Sequence, residues 1–401
     1  MKVGLYVHVP FCRRRCTYCD FNTYAGLLEL RPQYVNALLQ ELELHAEYPA
    51  SLEATTLYFG GGTPSLLPVE SVTSLVEAAR RLFRLNDAAE ITLEANPGTV
   101  ERTSLRRLRE VGVNRLSLGV QSAAEGELAL LGRIHGWEEA CAAVEDARRA
   151  GFDNLSLDLI FGLPGQSLAG WARSLEAVLA LAPRHLSLYA LKLEPGTPLA
   201  ERVGRGELPE PDPDLAADMY DLAGERLQAA GFWQYEISNW ALGVQPSPTL
   251  WALPPQGRTE GLGPWVAHHN LIYWRNQPWL GLGAGAHSWL GGRRWSNLTR
   301  PREYGARLEA GRLPVVEEEP IPRSLEMGET LMMGLRLAEG VADVEFRARF
   351  GMGLEERYGT VIERFVRLGL LEWCAERLRL TVTGRLLGNQ VFGAFLPDLG
   401  G

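Results

Sequence analysis

The sequence predicts an α/β protein, a partial (β/α)6 TIM-like barrel followed by a smaller C-terminal winged-helix-like α+β domain. Two observations carry that expectation. From Val3 to about Tyr189, short β-branched runs alternate with longer amphipathic helical patterns, as in repeated βα units around a parallel sheet. From about Ile321 the pattern changes to helices with one late hairpin.

Size and composition allow this. A chain of 401 residues can build a domain of over ~200 residues and a smaller one. Hydrophobic residues make up 46% and charged residues 22%, as in ordinary globular proteins. The net charge of -9 is spread along the chain without a long basic run, so a nucleic-acid partner is not expected. No apolar stretch approaches the roughly 20 residues that span a bilayer. Nothing resembles a secretory signal, and a strand begins almost at Met1, so a cytoplasmic location is expected.

The expected strands are Val3 to Val9, Thr55 to Phe59, Glu90 to Glu94, Arg115 to Val120, Asn154 to Ile160 and His185 to Leu191. Between them the 3.6 period predicts helices over Pro32 to Glu47, Val69 to Phe83, Glu101 to Val111, Trp137 to Ala150 and Leu168 to Leu181. In such barrels the chemistry sits at the carboxyl ends of the strands. That rule selects residues.

After the first strand, Cys12, Cys16 and Cys19 put three of the five cysteines in one short loop. Thiolates at this C-x3-C-x2-C spacing can turn toward one inorganic core, and a four-iron cubane then keeps one iron without a protein ligand. A structural zinc would need a fourth ligand such as His8, which alternation places in a strand. Disulfides fit an odd cysteine count poorly. Plain core packing fits poorly beside Arg13, Arg14 and Arg15.

After the second strand, Gly60-Gly61-Gly62-Thr63-Pro64 lets the backbone come close to a ligand, or is only a strand-to-helix turn. The third strand ends in Glu94, the fourth in Gln121, and the fifth carries Asp158. One such carboxylate is often a helix cap, whereas several on the cysteine rim suggest a bound cofactor.

These residues resemble the radical S-adenosylmethionine (SAM) enzymes, in the branch that contains oxygen-independent coproporphyrinogen III oxidase. The carriers are Cys12, Cys16 and Cys19, with Tyr6-x-His8-x-Pro10-Phe11 ahead of them. The resemblance covers almost the whole chain and implies a barrel of radical SAM type. In the family a [4Fe-4S] cluster on the three cysteines chelates SAM, and an electron from the cluster cleaves SAM to a 5′-deoxyadenosyl radical. Carried over by position, Tyr6, Gly61 and Glu94 are SAM contacts, and Tyr18 joins the SAM set. Gly62, Thr63, Gln121, Arg133 and Asp158 match positions that hold a second SAM in the oxidase.

Two departures separate the chain from the oxidase. The oxidase has a further cysteine two places after the third, where this chain has Asp20-Phe21, and it has a substantial segment ahead of its first strand. Both match oxidase-like heme chaperones, which bind heme and pass it to acceptor hemoproteins such as membrane-associated respiratory proteins.

The expected modules are 1–207, a barrel extension over 208–320, and 321–401. Pro-rich Leu208 to Pro213 marks a linker, a helix from about Leu215 to Ala230 follows, and Ala241 to Ala267 looks like an irregular surface insertion. His268-His269-Asn270-Leu-Ile-Tyr273-Trp274 then offers an imidazole, an amide and two aromatics. From the residues alone they cap and pack the open side of the barrel. The family's His-Asn-x-x-Tyr-Trp pattern instead implies His269 as a heme contact with Tyr273 and Trp274 beside it. His287, in a Gly-rich stretch, is a secondary candidate.

In the tail, helices are expected over Leu325 to Ala338, Asp343 to Phe350 and Leu354 to Leu368, then a hairpin and a closing helix. Glu345, Glu355, Glu356, Glu363 and Glu372 mix with its arginines, which favours a lid or docking role over DNA. Cys141 and Cys374 look like buried packing residues. The function expected is a cluster- and SAM-binding heme chaperone, with an electron donor required if SAM is cleaved. The alternative is the oxidase, and a docking factor acting through the tail has least support.

Overall fold

The computed structural model describes residues 1–46, 52–243 and 262–397. Glu47, the expected end of the first helix, and residues 244–261 of the expected insertion lie outside them. The chain forms two compact units, Met1–Arg226 with Pro278–Glu319, and Leu227–Gln277 with Pro320–Gly401. The expected barrel extension is divided between them: 208–226 and 278–319 fall in the first unit, 227–277 and 320 in the second.

In the first unit the strands are β1 (Lys2–Val9), β2 (Phe11–Cys12), β3 (Tyr24–Ala25), β4 (Glu53–Gly61), β5 (Glu90–Ala95), β6 (Arg115–Gln121), β7 (Asn154–Phe161) and β8 (His185–Ala190). The order β1-β4-β5-β6-β7-β8 is parallel throughout, as the βα alternation requires. Each predicted crossover helix is present, over Arg31–Ala46, Val69–Phe83, Arg102–Glu110, Trp137–Arg149 and Leu168–Ala180.

Fully buried parallel strands usually read as continuous apolar runs, but these alternate. Leu155, Leu157 and Leu159 are buried on one face of β7, each contributing ~1.5–3 kcal/mol. Ser156 and Asp158 occupy the other face, as Ser117 does on β6, Glu94 on β5 and Ser187 on β8. The inner wall is consequently polar.

The Gly-rich stretch after the candidate helix is more than a turn. Trp279–Leu282 is a further parallel strand beside β1, followed outward by His287–Leu290, Arg293–Asn297 and Val315–Pro320. Its turn rests on a buried carboxylate. Glu41 accepts from Gly283 N at 2.8 Å, from the Tyr304 hydroxyl at 2.6 Å and from Asn297 Nδ2 at 2.6 Å.

In the second unit Phe232–Gln234 and Asn239–Leu242 pair antiparallel, and the helix His268–Trp274 follows the undescribed residues. The tail has helices over Arg323–Gly334, Asp343–Phe350 and Leu354–Arg367, a hairpin of Leu371–Cys374 with Arg377–Leu380, and two short helices instead of one closing helix. Val341–Ala342 adds a third strand, which completes the winged-helix-like pattern. Its core includes Leu331, Phe346, Leu354, Ile362, Leu378 and Phe395.

Candidate cluster and cofactor site

The cysteine loop is closed at its base by β2 and β3, which pair in parallel with Phe11 opposite Tyr24 and Cys12 opposite Ala25. Tyr24 N donates to Pro10 O at 2.7 Å, and Cys19 N to Cys16 O at 3.3 Å. Asn22 then ties the loop to the 284–299 segment, its Nδ2 donating to Ala284 O and Thr299 O, each at 2.9 Å. On the opposite side Thr17 N donates to Leu131 O at 3.1 Å and Thr17 Oγ1 to Leu130 O at 2.8 Å.

All five cysteines are free thiols. The three in the loop share one locality: burial pushes the Cys12 thiol up, and repulsion from Cys19 and Cys16 adds to it against the Thr63 hydrogen bond. Each sulphur has a polar neighbour. Thr63 Oγ1 donates to Cys12 Sγ at 3.6 Å, Arg133 Nη1 donates to Cys16 Sγ at 3.3 Å, and Thr23 Oγ1 lies 3.8 Å from Cys19 Sγ. Among the described residues no three His, Cys, Asp or Glu close on a single-ion site. A cubane takes each thiolate on a different iron, so its ligands stand farther apart than those of zinc. The donor set fits an iron–sulphur cluster.

The glycine turn after β4 lies against this loop. A Cβ on Gly62 would stand 2.8 Å from Phe11 O and 3.0 Å from Cys12 Sγ, and one on Gly61, at φ +113°, 2.6 Å from the His8 ring. Neither position admits a side chain. Gly61 N donates to Glu94 Oε2 at 3.2 Å while the Tyr58 hydroxyl donates to Oε1 at 2.7 Å. Burial raises Glu94 to about 7 despite these donors, so a cationic ligand group such as the SAM ammonium would be needed to hold it firmly ionised. Tyr6 stacks on Tyr58 with ring centroids 6.1 Å apart. The Tyr6 hydroxyl donates to His8 Nδ1 at 3.0 Å, because His8 Nε2 donates to Asn22 O at 2.9 Å and so carries the proton. His8 thus positions Tyr6 and the loop. Tyr6, Gly61 and Glu94, the SAM contacts the resemblance implies, lie together here: a Cβ on Gly60 would stand 2.9 Å from the Tyr6 ring and 3.3 Å from Glu94 Oε1.

Of the second set, Gly62 and Thr63 lie in the turn after β4, Gln121 ends β6, Arg133 follows the helix Glu125–Leu130 and Asp158 lies on β7. Asp158 accepts from Ser117 Oγ at 3.0 Å and Ser156 Oγ at 3.2 Å, and burial raises its carboxyl. Gln121 has φ +69°, at a register break between β6 and β7. Such a left-handed non-glycine residue in a bulge is strained, and strain of this kind concentrates at functional sites. Tyr18 packs against Leu131, Ile160 and Leu163, with its phenol pushed up by burial.

In the second unit His269 is 1% exposed. Its Nε2 lies 3.0 Å from the Tyr273 hydroxyl one turn along the same helix, with the rings edge to face. Trp274 is half-buried, and the Arg336 guanidinium lies 5.3 Å from its ring centroid. His287 is exposed on its strand in the first unit. Cys141 and Cys374 are half-buried, not buried as expected.

Several supporting residues escaped the sequence reading. Asn22, Thr23 and Glu41 gave no motif signal. The inward Ser117, Ser156 and His185 were legible in the strict polar-apolar alternation of β6 to β8, which a sheet buried on both faces does not need.

The radical SAM superfamily profile matches residues 6–178, and the HemN C-terminal domain profile matches 323–387. The chain is 35% identical to the heme chaperone HemW of Bacillus subtilis, over 98% of this chain and 99% of that protein. It is 40% identical to HemW of Mycobacterium tuberculosis, over 98% and 94%, and 36% identical to HemW of Escherichia coli, over 99% and 98%. Among solved structures, coproporphyrinogen III oxidase of Escherichia coli aligns with TM-score 0.84 at 24% identity, covering 99% of this chain and 90% of that one, which shows the same fold. The sequence similarity, sustained over the whole length and including both units, places the chain in the HemW family of the radical SAM superfamily.

Proposed function

We propose that the protein binds heme and delivers it to acceptor hemoproteins in the cytoplasm or at its membrane face, and holds a [4Fe-4S] cluster and SAM in its barrel. The observation that carries this is the end-to-end similarity to proteins named heme chaperone HemW. No helix among the described residues is long and apolar enough to cross a membrane.

Cys12, Cys16 and Cys19 are the cluster ligands in this reading. When bound, the cluster supplies one electron and an iron open to SAM. Tyr6, Tyr18, Gly61 and Glu94 hold the SAM, and Gly62, Thr63, Gln121, Arg133 and Asp158 line the adjoining rim. Heme contacts the helix His268–Trp274, with Tyr273 and Trp274 presenting half-buried rings. Contact through His269 requires its Nε2 to exchange the Tyr273 hydroxyl for iron. SAM cleavage requires an electron donor. In this reading the barrel serves as the cofactor module, the helix His268–Trp274 contacts heme, and the tail serves docking.

Anaerobic reconstituted protein tests this against the oxidase reading. Heme titration should give a saturable Soret band, and coproporphyrinogen III should not be decarboxylated at an enzymatic rate. Turnover without a Soret band would overturn the proposal.

A further inference from the structure

We infer that Arg133 sets the reduction potential of the cluster through its hydrogen bond to the Cys16 sulphur. Its guanidinium bridges two parts of the fold: Nη1 donates to Cys16 Sγ at 3.3 Å, and Nη2 to Gly119 O at 2.8 Å, at the strained end of β6. Both ends of this bridge are fixed. Arg133 N donates to Leu128 O at 2.9 Å, and the preceding turn holds the cysteine loop through Thr17. Gly132, at φ +71°, lets that turn approach, since a Cβ there would lie 3.0 Å from Thr17 Cγ2. The Arg133 to Cys16 distance is a property of the scaffold.

The three cysteine sulphurs are not equivalent. Cys12 and Cys19 face the hydroxyls of Thr63 and Thr23, at 3.6 and 3.8 Å, whereas Cys16 receives a cationic donor at shorter range. Charge-assisted hydrogen bonds are about twice as strong as neutral ones. Reduction adds negative charge to a cluster, so a fixed cation on one ligand sulphur stabilises the reduced form and raises the potential. This role differs from contact with a second SAM, because it acts on the cluster before any SAM binds.

The inference rests on the cluster reading, and the experiment separates the two. Iron and sulfide are first measured in the reconstituted wild-type protein. A chain that holds no cluster there overturns the parent reading. Potentiometric titration followed by EPR, without SAM, is then run on wild type, Arg133→Met and Thr63→Val. Arg133→Met should move the reduction equilibrium at least tenfold toward the oxidised cluster, 59 mV more negative for a one-electron couple, and Thr63→Val by less. If Arg133→Met does not retain iron, Arg133→Lys is titrated instead, and its equilibrium should move the same way by more than that of Thr63→Val. An unchanged SAM-free potential, accompanied by weaker SAM binding, would assign Arg133 to SAM alone and overturn the inference.

Discussion

The cysteine loop and the His268–Trp274 helix both attract attention in the sequence, yet the fold treats them differently. Around Cys12, Cys16 and Cys19 the chain spends backbone and side chains from distant segments, Asn22 to Thr299, Thr17 to Leu131 and Arg133 to Cys16, to hold thiols that have no covalent partner. Around His269 the bond to Tyr273 is local, i,i+4 within one helix, and the imidazole is buried. The first region is built to receive something. The second already satisfies its ring nitrogen, so any heme contact there must compete with an internal bond.

The largest expected effect breaks the comparison most cleanly. Cys16→Ala should reduce iron and sulfide to background, whereas Tyr273→Phe should leave both unchanged. Full iron content in Cys16→Ala would remove that residue from the ligand set.

Next comes the buried carboxylate behind the loop. Burial raises Glu41 to about 7, above its ordinary 4.5. The folded state therefore holds a proton that the unfolded chain releases, and stability falls as pH rises from about 4.5 to 7 and is not regained above. Across that window the loss is roughly 3 kcal/mol. His45, 3.9 Å away and lowered by burial to about 4, is uncharged at neutral pH, so the two do not form an ion pair there. Its own effect has the opposite slope, between about 4 and 6.5. Glu41→Gln should flatten the fall between pH 5 and 8 in denaturant melts, and an unchanged slope would contradict the burial account.

The smallest effect lies in the second region. Tyr273→Phe removes one partly exposed hydroxyl from His269 and should cost about 1 kcal/mol in stability. A loss several times larger would show that the pair carries the packing of that unit.

Much of this was legible in the sequence for physical reasons. The βα alternation fixed the six parallel strands because each element has its own hydrophobic period, and the cysteine spacing exposed the cluster loop because its ligands are local in the chain. The strand Trp279–Leu282 was hidden by its glycines, which are needed where a Cβ on Gly281 would lie against His287 O and one on Gly283 2.6 Å from His8 O. Glu41 and Asn22 were hidden because their partners, Asn297, Tyr304 and Thr299, lie far along the chain. His269 was visible as a residue type, but its burial depends on packing that no short motif records.

Heme titration of His269→Ala, with iron counted in the same samples, tests the central claim most directly. The account predicts weakened heme binding, read from the Soret band, with cluster iron equal to wild type. Undiminished heme affinity in that variant would contradict it.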